Sequence, residues 1–246
     1  MSTIKRRDGR SYGTLRQLSC ELSSLQRADG SALWKSGSTH VLGAVYGPIA
    51  PMNMAKEQEE SIVTVLIKSG KSDEVTDEHK TFLTKILTNC VDVQKYPQTV
   101  VQVVLQIIQS DGSSLACLLH AAVAALMDAG VDLLYLPVAT TCLVVMNHDE
   151  AATTSSGPTT ASIIWLDPMA AEEQEDNDNA IVTLVNTSRQ PTKILGSHTI
   201  GTSGITLDQF LACQQVAAKA CPAIPAFWRL AIDQKVQRES QTLWAN

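Results

Sequence analysis

The sequence predicts one α+β domain in which central helices pack on a mixed sheet. Segments with strand character come first, followed by a helix, a strand, a second helix, more strands and a C-terminal helix, an order typical of this fold class. The 246 residues are enough to bury one large core, and 44% of them are hydrophobic. Only 4% are aromatic, so Val, Leu, Ile and Ala must build that core.

The first 70 residues are divided by turns that contain Gly or Pro. Turn signals such as Asp8-Gly9-Arg10 and Gly47-Pro48 separate runs that are rich in apolar and β-branched residues. These runs predict strands at Gln17–Leu25, Ala32–Lys35, Thr39–Tyr46 and Ser61–Lys68. We expect the four strands to form an antiparallel sheet.

The middle of the chain predicts a helix, a buried strand and a central helix. Apolar residues at helical spacing indicate a helix over Asp77–Cys90, and the nearly continuous apolar run Thr99–Ile108 indicates a strand buried on both faces. The polar turn Ser110–Ser114 opens directly into Leu115–Ala129, a largely apolar segment that predicts a helix at the centre of the domain. His120 lies in this helix, and we expect it to be a structural or partly exposed residue rather than a catalytic one.

The second half adds strands and a broken C-terminal helix. Strands are predicted at Val138–Met146, Ser162–Asp167, Ala180–Thr187 and Thr192–Leu195. Thr206 predicts the start of an amphipathic helix over Leu207–Cys221, and prolines then interrupt it before a further helical segment at Ala226–Glu239. The stretch 151–161 is rich in Ala, Thr and Ser and is predicted to be a loop insertion. We therefore expect a single domain over residues 11–240.

Charge is unevenly distributed along the chain. The sequence has 19 Lys plus Arg and 25 Asp plus Glu, and the net charge of −6 excludes a strong autonomous polybasic nucleic-acid binder. Residues 1–35 carry seven bases and three acids, whereas residues 147–188 carry eight acids and no Lys or Arg. We interpret residues 1–10 as a flexible basic N-terminus and Glu172–Asp178 as a solvated acidic loop.

The sequence gives no signal for export, membrane insertion or redox chemistry. The N-terminus lacks an apolar stretch, and no apolar window is long enough to span a bilayer. The six cysteines form no C-x-x-C pair and several lie in apolar runs, which favours buried free thiols over zinc ligands or disulfides. We expect a soluble intracellular protein with no cofactor and no membrane association.

Two junctions carry residues able to do chemistry. The turn Ser110–Ser114 would present helix N-terminal N–H groups to an anion, but Leu115 and Ala116 follow it and no cation is near, which favours a helix-capping turn over an active phosphate site. Asp167 ends a strand and Glu173 follows nearby, so the pair could bind Mg²⁺ or act as a general acid. A strand-end Asp-Pro is also a common turn, and both interpretations stay open for this pair.

Several ordered motifs together resemble the RNase PH family. They are Asp8-Gly9-Arg10, Gly37-Ser38-Thr39-His40-Val41, Asp111-Gly112, Ala125-Leu126-Met127-Asp128-Ala129-Gly130 and Leu166-Asp167-Pro168. The resemblance covers residues 8–240 and implies the family's βαβα fold, similar to the second domain of ribosomal protein S5. It also implies a hexameric ring of RNase PH-like subunits around a pore, with S1/KH cap proteins on one face and a hydrolytic exoribonuclease on the other.

The resemblance also implies that a phosphorolytic site has degenerated. Active members hold phosphate with a Gly-Thr-Arg-Thr stretch, and the matching positions are Ser113, Ser114, Leu115 and Ala116. Leu115 in the arginine position removes the charge that would bind phosphate through two hydrogen bonds. A further arginine of active members falls near Lys85 or Thr88. The family's metal-binding or general-acid Asp falls on Asp167, and its second Asp falls on Glu173.

These positions predict a non-catalytic subunit of the exosome core ring that supports 3′-to-5′ RNA processing and degradation, including ribosomal RNA processing, in nucleus, nucleolus and cytoplasm. RNA would pass through the assembled pore, and the candidate RNA contacts are Arg6, Arg7, Arg10 and Lys85. One alternative is a residual metal-dependent nuclease, in the form of a homodimer, that uses Asp167 and Glu173. Another is a protein-interaction domain unrelated to RNA.

Overall fold

Two β-sheets and five α-helices make up most of the part of the chain that the structure, a computed structural model, describes. That part comprises residues 6–50, 62–70, 77–146, 162–174, 179–201 and 204–244. The predicted insertion 151–161 lies outside it, as do residues 175–178 of the predicted acidic loop. The architecture confirms the predicted α+β class with helices packed on a mixed sheet.

The elements follow the predicted order closely. The strands are β1 (Leu18–Leu22), β2 (Gly30–Ser36), β3 (Thr39–Ile49), β4 (Ile62–Ser69), β5 (Val100–Gln109), β6 (Pro137–Met146), β7 (Ser162–Leu166), β8 (Ala180–Thr187) and β9 (Ile194–Ile200). The helices are α1 (Asp77–Cys90), α2 (Ser114–Asp128), α3 (Ala170–Glu173), α4 (Leu207–Ala220) and α5 (Ala223–Trp244). The short helix α3 was not predicted, and its last two residues overlap the segment interpreted as an acidic loop.

The first sheet has five strands in the order β1-β2-β3-β5-β4. Strands β1, β2, β3 and β5 pair antiparallel, as expected for the opening segments, but β4 pairs parallel to β5. The prediction that β4 belongs to an antiparallel arrangement is therefore wrong. The physical reason is the crossover: α1 lies between β4 and β5 in sequence and carries the chain back to the same end of the sheet.

The second sheet has four antiparallel strands in the order β7-β6-β8-β9. Strand β9 runs to Ile200, five residues beyond the predicted end at Leu195. Residues 196–199 are small or polar and carry little strand propensity, but they pair with β8, where His198 faces Thr183. Backbone pairing thus extends the strand where residue propensity alone would end it.

Helix α2 lies between the two sheets and contacts strands of both. Its residues from Leu115 to Leu126 are all buried. A Cβ atom at Gly43 would lie 2.8 Å from the Ala121 carbonyl oxygen, so a glycine lets β3 approach the helix. His120 is buried, its Nε2 accepts the Ala139 N–H at 3.2 Å, and burial lowers its pKa to about 4. These observations confirm the predicted structural role of His120.

The C-terminal helices and the cysteines also agree with the sequence. Thr206 caps α4 in a capping box with Gln209, and α4 ends at Ala220, before the prolines. Helix α5 begins at Ala223, slightly earlier than predicted, because Pro225 is tolerated in a first helical turn. All six cysteines are free and buried. No helix in the described part of the chain is long and apolar enough to cross a membrane.

Candidate functional site

The turn between β5 and α2 packs tightly against the turn that follows β7. Gly112 has a positive φ of +77°, and a Cβ atom there would lie 2.6 Å from both the Pro168 carbonyl oxygen and the Ala170 nitrogen. Ser113 also has a positive φ, of +52°, and its hydroxyl donates to the Pro168 carbonyl at 3.0 Å instead of capping α2. The two turns that carry the predicted site residues therefore meet.

Arg16 joins these two turns through its guanidinium group. Nε and Nη2 donate to the Asp167 carboxylate at 3.1 and 2.7 Å, and Nη2 also donates to the Gly112 carbonyl at 3.2 Å. Nη1 donates to the Asp111 carbonyl at 2.5 Å and to Thr39 Oγ1 at 3.2 Å. A guanidinium has five N–H donors, and these five contacts use all of them. Arg16 thus holds the turn in place and has no donor left for an added phosphate.

Asp167 is a structural carboxylate in this arrangement. Besides the contacts from Arg16, it accepts the Arg16 backbone N–H at 3.0 Å and the Ser36 hydroxyl at 3.2 Å. Burial pushes its pKa up, but the hydrogen bonds and charge of Arg16 outweigh burial and leave the pKa below its ordinary value. A metal ion would have to displace Arg16, so the donor set does not fit the metal-binding role allowed for Asp167.

A second buried ion pair fixes the N-terminal segment to α3. Arg6 donates to both carboxylate oxygens of Glu172, at 3.0 and 2.7 Å, and both side chains have 0% exposure. Arg6 also donates to the carbonyls of Leu166 and Asp167. Arg10 donates to the Asp167 carbonyl at 3.1 Å. Arg6 and Arg10 are therefore not part of a flexible tail, and Glu172 is not part of a solvated loop.

The predicted RNA-binding residues differ in how accessible their side chains are. Arg6 is inaccessible, and half-buried Arg10 is partly engaged by the Asp167 and Thr14 carbonyls. Arg7 and Lys85 are exposed. The sequence alone does not show which of these arginines is buried, because the carboxylate that pairs with Arg6 lies 166 residues away.

Glu173 lies on the other side of the turn, at the wall of a cavity. Its Oε1 accepts the Ser113 N–H at 2.8 Å, and burial raises its pKa to about 7, against the opposing effect of this hydrogen bond. The cavity has a volume of about 380 Å³, and its wall includes Ser114, Leu115, His79 and His198. The two histidine rings lie 5.2 Å apart. Among the described residues, no group of His, Cys, Asp and Glu is arranged to hold a metal ion.

Sequence reasoning brought Ser114, Leu115, Asp167 and Glu173 to one place but missed three other residues there. His79 on α1 and His198 on β9 line the same cavity, and Arg16 organises the turn beside it. The two histidines belong to segments far apart in sequence and match no motif. Arg16 was counted only as one base in a basic N-terminal region.

Comparisons with known proteins show which proteins this chain is similar to. A family model described as the 3′ exoribonuclease family, domain 1, matches residues 14–132. The Arabidopsis thaliana protein named exosome complex exonuclease RRP46 homolog is 31% identical over 242 residues, which cover 92% of this chain and 95% of that protein. The Schizosaccharomyces pombe exosome complex component rrp46 is 37% identical over 121 residues, or 48% of this chain and 54% of that protein.

Solved structures give the same result. The crystal structure of rice Rrp46 has a TM-score of 0.77 at 30% identity, over 91% of this chain and 98% of that chain. A chain of the Archaeoglobus fulgidus exosome shares the fold, with a TM-score of 0.71 at 20% identity over 91% and 92% of the two chains. The sequence match along nearly the whole chain and the shared fold lead to one conclusion: the chain belongs to the RNase PH family.

Proposed function

We propose that this chain is a non-catalytic subunit of an exosome core ring, which supports 3′-to-5′ RNA processing and degradation without cleaving RNA itself. Two relatives of similar length are named as an exosome complex exonuclease and an exosome complex component, which supports membership of such a complex. Because one of these names includes an activity, the non-catalytic part of the proposal rests on the residues of this chain. In this proposal other RNase PH-like chains flank the subunit in the ring, cap proteins and a hydrolytic nuclease dock on its faces, and RNA passes through the pore. Its location follows that of the complex, in nucleus, nucleolus and cytoplasm.

The single observation that carries the non-catalytic part is the state of the turn before α2. Leu115 stands where active members place a phosphate-binding arginine, and it lies on the cavity wall. The arginine that contacts the turn, Arg16, uses all its donors within the protein. Removing one charged group that stabilises a transition state costs on the order of 10³-fold in rate. Phosphorolysis needs bound phosphate as the nucleophile, and this turn supplies no cation for it.

Exposed apolar side chains on sheet edges support assembly with neighbours. Strand β4 ends the first sheet and exposes Leu66, and β9 ends the second sheet and exposes Ile200, at 38% and 47%. Edge strands of this kind can pair with another chain. A lone chain would leave them open, so partners at one or both edges would stabilise the subunit.

The geometry of Asp167 and Glu173 argues against the alternative of a residual metal-dependent nuclease. It needs Asp167 and Glu173 to share an ion, but both oxygens of Asp167 are engaged by Arg16 and Glu173 is hydrogen bonded to Ser113. Two carboxylates that serve different backbone and side-chain partners do not form a shared oxygen site for Mg²⁺.

Two measurements test the proposal. A tagged chain recovered from its native cells should bring down RNase PH-like neighbours, and Leu66→Glu or Ile200→Glu should reduce that recovery. Val236→Glu is the matched control, because Val236 is also apolar and 58% exposed but lies on α5, which packs against β1 at the opposite edge of the first sheet from β4. The purified chain should release no nucleoside diphosphates from RNA when phosphate is added. Recovery without such neighbours, or phosphate-dependent RNA degradation by the pure chain, would show the proposal to be wrong.

A further inference from the structure

Two buried cysteines meet between the second sheet and the helix that covers it. Cys142 lies on β6 and Cys213 lies on α4, and both side chains are free thiols with 0% exposure. They belong to one hydrophobic cluster, in which the Cys142 thiol donates to the Cys213 carbonyl oxygen at 3.9 Å. The two residues are 71 positions apart in sequence, so only the fold brings them together. A pair of thiols held this close is the starting point from which a disulfide can form.

These two thiols differ from other buried cysteines of the chain in how readily they lose a proton. A hydrogen bond between the two thiols lowers the pKa of Cys213 and, together with burial, raises the pKa of Cys142 well above its ordinary value. Burial raises the pKa of Cys90 to about 12 and that of Cys221 to about 11. The thiolate is the form that attacks an oxidant, so Cys213 is the cysteine that should react first.

Access to the pair depends on α4, which is a surface helix. It packs on β6, β7 and β8 through one face, while Leu207 and Leu211 of the same helix are exposed. A helix held by a single face can open locally while the rest of the domain stays folded. A small neutral oxidant such as hydrogen peroxide can therefore reach Cys213 during such openings.

We propose that Cys142 and Cys213 form a redox switch, in which hydrogen peroxide converts the two thiols into a disulfide that links β6 to α4. The Cys213 sulfur attacks one peroxide oxygen, the O–O bond breaks, and Cys213 becomes a sulfenic acid while the other oxygen takes up a proton and leaves as water. The Cys142 sulfur then attacks the Cys213 sulfur, the S–O bond breaks, and the hydroxyl leaves as water with the Cys142 proton. The two thiols lose two electrons, and one peroxide is reduced to two water molecules.

The disulfide would hold α4 on the second sheet. A cross-link restricts the unfolded chain, and this effect grows with the length of chain that the link closes. The oxidised protein should therefore unfold at a higher denaturant concentration than the reduced protein. The switch goes beyond the proposed function, because neither thiol lines the cavity or lies on the edge strands β4 and β9.

The experiment exposes the 246-residue chain to hydrogen peroxide at about pH 8 and stops the reaction at intervals. The remaining thiols are then alkylated in denaturant, and each cysteine is quantified by peptide mass spectrometry. Cys142 and Cys213 should disappear together, at least about tenfold faster than Cys221, and a peptide pair joined by these two residues should replace them. Dithiothreitol should restore both thiols, because a disulfide is reduced by thiol exchange.

Two variants separate the switch from general oxidation of buried thiols. Cys142→Ala removes the second thiol, so Cys213 should accumulate as a sulfenic acid that dimedone labels, and oxidation should no longer raise the denaturant midpoint. Cys221→Ala is the matched control, because the Cys221 thiol is also buried and donates to a backbone carbonyl, at 3.8 Å. The disulfide should form in this control as in the natural chain. Alkylation of the natural chain needs no variant, so it decides the matter even if Cys142→Ala folds poorly.

Three results would overturn the switch. They are oxidation of Cys213 no faster than that of Cys221, a disulfide from Cys213 to any other cysteine, and irreversible oxidation of Cys213 while Cys142 stays a free thiol. None of them bears on the proposed function, which fails only if the unmodified chain degrades RNA with phosphate or assembles with no RNase PH-like neighbour.

Discussion

The carboxylates on the two sides of the turn before α2 differ in how their charge is compensated. On the side of the N-terminal segment, the carboxylates of Asp167 and Glu172 each meet an arginine through two hydrogen bonds. On the cavity side, Glu173 has one N–H donor, and no ion pair of Glu173 occurs among the described residues. Carboxylates that are close in sequence therefore have different environments: Asp167 and Glu172 form buried ion pairs, whereas Glu173 lines the cavity and accepts a single N–H.

The largest expected effect comes from breaking the paired side at Arg16. Arg16→Ala leaves the Asp167 carboxylate buried without its cation and frees the turn carbonyls, so the free energy of unfolding should fall by about 3–5 kcal/mol. Denaturant unfolding followed by circular dichroism measures this change. The control is Lys35→Ala, because Lys35 pairs with Glu21 at 3.3 Å on the surface, where the loss should stay below about 1 kcal/mol. Similar losses in both variants would contradict the assigned role of Arg16.

The Arg6–Glu172 pair should show the next largest effect. Arg6→Met or Glu172→Leu alone strands a fully buried charge and should cost about 3 kcal/mol. The double variant Arg6→Met/Glu172→Leu should regain most of that loss, because an apolar pair of similar volume avoids the desolvation of two charges. Additive losses in the double-mutant cycle would mean that the two side chains act independently. Of the two buried ion pairs, Arg16–Asp167 alone would then stabilise the fold.

These two ion pairs also show what sequence reasoning cannot reach. The element order and the central position of α2 follow from local patterns, whereas the assignment of Leu115 and Glu173 as degenerate site positions comes from family motifs and stays a prediction. The partners of Arg6 and Arg16 do not, because each lies more than 150 residues away and no spacing rule connects such positions. Chain folding also buried Arg6, a residue of the segment predicted to be a flexible basic N-terminus. It also brought α3, a single helical turn, against Arg6 through the Glu172 carboxylate.

His120 extends the comparison to a buried basic group, which is hydrogen bonded to the Ala139 N–H but forms no ion pair among the described residues. Burial lowers its folded-state pKa to about 4, below the ordinary value of 6.5. The unfolded chain therefore binds a proton first as the pH falls, so the stability is complete above pH 6.5 and is lost between 6.5 and 4. This single group should contribute a loss of up to about 3 kcal/mol across that window.

The measurement for His120 is the free energy of unfolding against pH for the natural chain and for His120→Gln. Glutamine can still accept the Ala139 N–H but does not titrate, so the difference between the two curves isolates the imidazole. If the difference in the free energy of unfolding stayed constant between pH 4 and 6.5, His120 would not change its pKa on folding.

Glu173→Gln should have the smallest effect on the free energy of unfolding. It is the most specific test of the comparison, because it should stabilise the fold at high pH, whereas the other variants destabilise it. Burial raises the folded-state pKa of Glu173 from 4.5 to about 7, so stability is complete below pH 4.5 and is lost as the pH rises through 7. The groups that face this carboxyl are Ser113, Arg16, Asp111 and Asp167, with His79 and His198 lining the same cavity.

At about pH 8 the glutamine variant should be more stable than the natural chain by about 1–3 kcal/mol, and near pH 4 the two should be equal. A natural chain that is more stable than the variant at pH 8 would mean that the α2 N-terminus stabilises the charge fully. Glu173 would then resemble Asp167 and Glu172, because its charge would stabilise the folded state instead of destabilising it.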